Sequence, residues 1–106
     1  MSDKIIVFVT CGSDQEANQI AEVVIKERLA ACVTVVPGIR SYYMWEGAFD
    51  QANEVQLLIK TTRGRFEQMK NRIRDMHSYS LPEIIGVTID EASQSYLDWI
   101  DNSVGG

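Results

Sequence analysis

The sequence predicts an α+β domain: one four-stranded antiparallel sheet, two helices on a single face of it, and a short extra helix at the C-terminus. Three observations predict it. Short apolar runs of strand character alternate with segments of helical periodicity, their order is strand-helix-strand-strand-helix-strand, and a Glu-Gly turn joins the two middle strands into a long hairpin. At 106 residues the chain has the size of one domain, so residues 1–106 are read as a single unit.

Ile5-Ile6-Val7-Phe8-Val9 is a short continuous apolar run, which suits a strand buried on both faces. Ser13 follows, with Glu16 three residues later, the reciprocal capping pair that starts a helix. Ala17, Ile20, Ala21, Val24 and Leu29 then recur at helical spacing and place that helix at about residues 14–29. Ala31 to Val36 reads as the second strand. Pro37-Gly38 interrupts it, and Ile39, Tyr42, Tyr43 and Trp45 resume it past a bulge or bend. Glu46-Gly47 begins a turn, and Val55, Leu57 and Ile59 alternate with Gln56, Leu58 and Lys60 in the third strand. Phe66, Met69, Ile73 and Met76 mark a helix from about Arg63 to Met76. Ile84 to Ile89 is the fourth strand, and Tyr96, Leu97 and Ile100 mark the short terminal helix.

This order is the ferredoxin-like βαββαβ arrangement, in which right-handed crossovers put both main helices on the same face of the sheet. Ile5 to Val9 and Leu57-Leu58-Ile59 are nevertheless apolar on both faces. The face that the helices leave open needs another cover, and further copies of the chain are the simplest one.

Composition narrows the function. The net charge is −5, and the ten basic residues form no block, so the chain offers no electrostatic footprint to nucleic acid. The N-terminal apolar run is five residues, too short for a signal-peptide core or a membrane span, which points to a cytoplasmic protein without a membrane partner. Cys11 and Cys32 belong to no C-x-x-C pattern, and a lone bridge between them is not expected in a cytosolic domain. No nucleophile-base pair or paired-carboxylate motif is recognisable, so the chain is read as a non-enzyme.

The segments RLAACVTVVPGIRSYYMWEG, EVQLLIKTT, HSYSLPEI and YLDWI resemble the CutA family of divalent-cation tolerance proteins. The resemblance covers essentially the whole chain. Its most specific parts are Leu-Ala-Ala-Cys, the Tyr-x-Trp-x-Gly turn and the Pro-Glu-Ile after the histidine. It implies a ferredoxin-like protomer assembled as a tight homotrimer through its hairpin strands, with a role in copper and divalent-metal tolerance. It also implies metal binding by a thiol and a histidine, positions that match Cys11 and His77. Where the family usually carries His-Pro-Tyr, this chain has His77-Ser78-Tyr79.

The residues allow more than one reading of each site. His77, near a helix end, can serve the helix dipole when protonated or ligate a metal when neutral. Cys11 lies between a strand end and a helix N-terminus, a place expected to favour the thiolate. Together with His77, and with the Met76 thioether as a third donor, it suits copper better than magnesium or calcium. Cys32 is read as core. Tyr43, Trp45, Glu54 and Lys60 form either cross-strand pairs with a solvated ion pair or, with Tyr79 and Glu83, an intersubunit cleft. The alternative function is a trimeric signalling or small-ligand module resembling the nitrogen-regulatory PII proteins. A tight hairpin argues against that module's long mobile loop. An acylphosphatase-like enzyme lacks its glycine-rich loop and catalytic Arg here, and an RNA-recognition domain lacks its aromatic-basic motif.

Overall fold

The computed structural model describes residues 3–105. β1 (Lys4–Cys11) is central and pairs antiparallel with β3 (Ala48–Thr62) on one side and β4 (Ile84–Thr88) on the other. β2 (Cys32–Trp45) completes the sheet by pairing antiparallel with β3, giving the order β2-β3-β1-β4. Helix α1 (Asp14–Lys26) follows β1, α2 (Phe66–Met76) follows β3 after one 3-10 turn, and α3 (Gln94–Ser103) follows β4.

Side chains alternate across the sheet, and the two faces differ. Val7, Val9, Leu57 and Ile59 are fully buried against Ala17, Ile20 and Val24 of α1 and Met69 and Ile73 of α2. Their neighbours in register point the other way: Ile6 opposes Lys60 and Val87, and Phe8 opposes Leu58 and Ile85. On that face Ile85 and Val87 stay 51% and 50% exposed. The apolar run in β1 therefore has one face covered by helices and one covered by the molecule only in part. α3 reaches this face near its end, where Asp101 pairs with Lys4 at 2.7 Å. Its Ile100 and the adjoining Val104 are buried apart from the main core.

Three boundaries differ by several residues from the sequence expectation, one being the start of α2 at Phe66 rather than Arg63, because residues 63–65 form the 3-10 turn. α1 ends at Lys26 rather than Leu29, because Arg28 turns left-handed (φ 59°). The Leu29 N–H then bonds the Val24 carbonyl and the Arg28 N–H the Ile25 carbonyl, the paired bonds that close a helix with a left-handed residue. Leu29 is buried as its spacing implied, as the hydrophobic residue just past the helix. β3 begins at Ala48, well before Val55, because its first half lies in an arm with little alternating burial. With 14 and 15 residues at ~3.3 Å each, β2 and β3 account for the 45 Å long axis of the molecule.

The interruption at Pro37-Gly38 is a β-bulge. Val36 pairs with Gln56 and Ile39 with Glu54, so Pro37 and Gly38 (φ 74°) together oppose Val55. The extra residue flips which β2 side chains share a face with β3. Beyond it Tyr43 pairs with Asp50 and Trp45 with Ala48, which puts Tyr43 and Trp45 on the face of Glu54 and Leu58. The two-residue turn Glu46-Gly47 closes the arm with positive φ at both positions, the geometry that matches strand twist. No helix among the described residues is long and apolar enough to cross a membrane.

Candidate functional site

The C-terminal end of β1 and the start of α1 meet the loop after α2. Cys11, the last residue of β1, lies on the covered face opposite Val55 and is fully buried. His77 caps the C-terminus of α2, its N–H bonded to the Ile73 carbonyl. Glu16, in the first turn of α1, completes the group: one ligand atom from each of Cys11, Glu16 and His77 lies within 4.8 Å of the others.

The hydrogen bonds fix the histidine's tautomer. The Tyr79 N–H donates to Nδ1 (3.1 Å), so Nδ1 carries no proton and Nε2–H donates to the Thr10 carbonyl (2.7 Å). A ring held by one N–H on a backbone carbonyl is the arrangement in which imidazoles ligate metals through the other nitrogen. That nitrogen, Nδ1, is 3.9 Å from Glu16 Oε1. Thiolate, carboxylate and imidazole fit a soft or borderline divalent metal by donor type. Two features oppose binding in the present arrangement. Nδ1 is occupied by Tyr79, and the Cys11 thiol is held protonated.

The expectation of a stabilised Cys11 thiolate is corrected. Burial pushes the thiol up to about 12, with the charges of Glu16 and Glu54 adding to it, and this outweighs the positive end of α1. For Glu16 burial also pushes the carboxyl up. Hydrogen bonds from Ser78 and Gly12, with His77 beside them, prevail and hold it below the usual carboxylate range.

On the other face of the same strands lies a cavity of about 580 Å³. Tyr43, Trp45 and Asp50 of the hairpin arm line it, with Glu54, Tyr79 and Glu83, and Thr10, Ser41, Tyr42, Ser80 and Leu81 complete the wall. The Tyr79 hydroxyl donates to Glu54 Oε2 at 2.9 Å, and Glu54 is only 7% exposed. Burial and this carboxylate push the Tyr79 phenol well above its ordinary value. Burial raises Tyr43 too, followed by the charges of Asp50 and Glu54. Tyr79 also sits 4.8 Å from the His77 ring, centroid to centroid, so one loop residue touches both groups. Gly12 makes room for it: a Cβ there would lie 3.2 Å from the Tyr79 hydroxyl oxygen.

Five of the six cleft residues expected from sequence thus line one cavity, and they do so within a single protomer. Lys60 does not. It lies on the same face but six residues along β3, roughly 20 Å from Glu54. There its Nζ donates to Thr34 Oγ1 and the Leu58 carbonyl. Cys32, expected in the core, is half-buried on the open face opposite Lys60. Sequence reasoning missed Glu16, taken only as the capping partner of Ser13. Ser13 Oγ does accept from the Glu16 N–H, but the carboxylate turns to the N–H groups of Gly12 and Ser78. Asp50 was missed as well. Counting back from the Glu46-Gly47 turn pairs it with Tyr43 and would have found it.

Comparisons with known proteins agree with this architecture. The family model for the CutA1 divalent ion tolerance protein matches residues 5–103. The divalent-cation tolerance protein CutA of Thermus thermophilus is 41% identical over 100 residues, spanning 94% of this chain and 97% of that protein. The crystal structure of CutA from Xylella fastidiosa superposes with a TM-score of 0.95 at 40% identity, covering 97% of this chain and 99% of that one. A structure from Archaeoglobus fulgidus, described as a periplasmic divalent cation tolerance protein, superposes at 0.93 with 35% identity, covering 95% and 98%. The chain belongs to the CutA1 divalent ion tolerance family.

Proposed function

We propose that this chain is a metal-tolerance protein that binds copper, or another soft divalent ion, through Cys11, Glu16 and His77. In this reading it acts by binding rather than catalysis, as a ferredoxin-like homotrimer in the cytoplasm. The convergence of a thiol, a carboxylate and a carbonyl-anchored imidazole within 4.8 Å carries the reading. The family's link to divalent-ion tolerance supports it. Copper would displace the Cys11 proton and the Tyr79 N–H from Nδ1, so affinity rises with pH. The trimer is supported by the half-exposed apolar strip of Phe8, Leu58, Ile85 and Val87 beside a projecting arm. An obligate assembly would bury over ~2,000 Å².

The test is calorimetric copper titration of His77→Ala, Cys11→Ala, Glu16→Gln and Cys32→Ala, each checked for oligomeric mass. His77→Ala is expected to weaken binding by roughly tenfold or more, the ~1.4 kcal/mol scale of one lost ligand, while Cys32→Ala changes nothing. Parent-like affinity in both Cys11→Ala and His77→Ala would overturn the site. A monomer in sedimentation at micromolar concentration would overturn the trimer.

A second reading, a small-ligand-binding module, is favoured by one observation. The cavity on the opposite face has the volume of a ligand pocket and polar groups set among aromatic walls.

A further inference from the structure

The loop after α2 closes on Cys11, Glu16 and His77 with two consecutive backbone N–H groups. The Ser78 N–H donates to Glu16 Oε2 at 2.8 Å, and the Tyr79 N–H donates to His77 Nδ1 at 3.1 Å. The two bonds differ in kind. A carboxylate oxygen has a lone pair to spare beside its hydrogen bond, whereas an imidazole nitrogen has only one lone pair. Nε2–H is committed to the Thr10 carbonyl at 2.7 Å, so the ring has Nδ1 alone to offer, and the Tyr79 N–H takes it. A metal on Nδ1 and the Tyr79 N–H on Nδ1 exclude one another.

The Ser78 bond governs how readily Tyr79 withdraws. Glu16 is itself anchored, its Oε1 accepting from the Gly12 N–H at 3.3 Å, and its side chain is only 14% exposed. A hydrogen bond to an ionised carboxylate is roughly twice as strong as a neutral one. It pins residue 78 over the site, and Tyr79, one residue on, stays within reach of Nδ1. Proline, which the family usually carries here, would have no N–H to give. His77 has φ −76° and ψ 139°, an extended backbone that precedes proline without a clash.

We propose that Ser78 and Tyr79 form a latch on the metal group, which must open before a soft metal takes Nδ1, and that the Ser78 N–H sets how tightly such a metal binds. The inference rests on the Cys11–Glu16–His77 reading and adds its regulation: a loop released from Nδ1 marks an occupied site. Affinity is lowered by the fraction of molecules in which the latch is closed. Every donor and acceptor of the latch lies in one protomer, so it needs no neighbouring copy. The opposite role, a Ser78 N–H that orients Glu16 for binding, predicts the reverse change in affinity.

The test is calorimetric copper titration of the full chain as parent, Ser78→Pro, Ser78→Ala and His77→Ala. Hydrogen exchange at the Tyr79 amide is read by mass spectrometry, without metal and with copper or magnesium. Ser78→Pro deletes the N–H and should tighten copper binding by roughly tenfold, the scale of one hydrogen bond to a charged group. Ser78→Ala keeps the N–H and should match the parent. Copper should speed exchange at Tyr79, while magnesium, which prefers oxygen ligands, should leave it unchanged. Exchange in the parent keeps the inference testable if Ser78→Pro fails to fold. Copper affinity unchanged or weakened in Ser78→Pro overturns the latch, as does Tyr79 exchange that copper leaves unchanged or slows. In either case a loss of copper affinity in His77→Ala leaves the metal site standing. Parent-like copper affinity in His77→Ala means that copper does not use Nδ1 and overturns the latch together with the histidine's place in the site. Magnesium speeding Tyr79 exchange as copper does would show the loop opening without Nδ1, and that too overturns the latch.

Discussion

The two faces of the sheet are made by the same strands and differ in what covers them. On one, Val7, Val9, Leu57 and Ile59 are closed over by α1 and α2 and end at the buried Cys11. On the other, Phe8, Leu58, Ile85 and Val87 remain partly in water and run into the cavity around Glu54. The candidate sites inherit this difference. Cys11, Glu16 and His77 form a closed group in which the imidazole and the carboxylate already have hydrogen-bond partners, whereas the cavity is open and lined by the carboxyl groups of Asp50, Glu54 and Glu83. A ligand must displace something to enter the first and only needs to arrive at the second.

The largest effects should separate the faces by how stability is held. Ile59→Ala removes a fully buried side chain from the covered face and should lower stability by ~2–5 kcal/mol, read by urea denaturation. Leu58→Ala, the next residue on the open face, should act through association. Sedimentation would show a shift toward monomer, and the loss in denaturation would shrink as protein concentration rises. An equal, concentration-independent loss from both would mean the open face needs no partner.

Next comes the pH dependence of the closed group. The Cys11 thiol lies at about 12 in the folded chain against 9.0 without burial, so the folded state holds its proton more tightly than the unfolded state. Its contribution is fully present below pH 9 and is lost as pH rises toward 12, by up to roughly 4 kcal/mol. Cys11→Ala should flatten the alkaline limb of stability against pH relative to the parent. An unchanged limb would mean the thiol ionises as it does in the unfolded chain.

Tyr79 ties the groups together, and removing its hydroxyl should act on one of them only. Tyr79→Phe leaves the Glu54 carboxylate without its donor, a loss of about 1–3 kcal/mol, while the Tyr79 N–H still holds His77 Nδ1. Gly12→Ala reaches the same bond by steric pressure from its new Cβ. In both variants the His77 imidazole resonances should stay in place by NMR. Movement of the His77 signals on loss of the hydroxyl would show that the two groups are one coupled unit.

How much of this was legible in sequence depends on whether a signal was local. The alternation of Val55, Leu57 and Ile59, the Ser13 cap and the Glu46-Gly47 turn are short-range patterns, and the elements follow them. The cavity was partly legible because Tyr43, Trp45 and Glu54 sit on one hairpin. Within one protomer Lys60 stands apart from the cavity, since sharing a face does not mean sharing a position along a strand of 15 residues. Glu16 failed for a different reason: its cap pattern was genuine, and the contact of its carboxylate with Ser78 spans 62 residues, which no local pattern encodes. The Cys11 thiol was misjudged because burial depends on the assembled core, whereas the helix end is visible from sequence.

The smallest expected effect sharpens the comparison at the tip of the arm. Glu46 adopts φ 50° in the turn, a left-handed conformation that crowds an L side chain, whereas Asn tolerates it and is favoured before Gly in two-residue turns. Glu46→Asn should therefore stabilise the turn by roughly 0.5–1 kcal/mol. Where the gain registers is the informative part. The arm carries exposed Met44, Trp45 and Phe49 and touches no helix-covered core, so in a lone protomer it opens locally. Hydrogen exchange would then slow at Trp45 and Ala48 without any change in global denaturation. If neighbouring copies clamp the arm, opening it means opening the assembly, and the same gain shows up in global stability instead. No slowing at either level would mean that Glu46 is unstrained and that the turn is not what limits the arm.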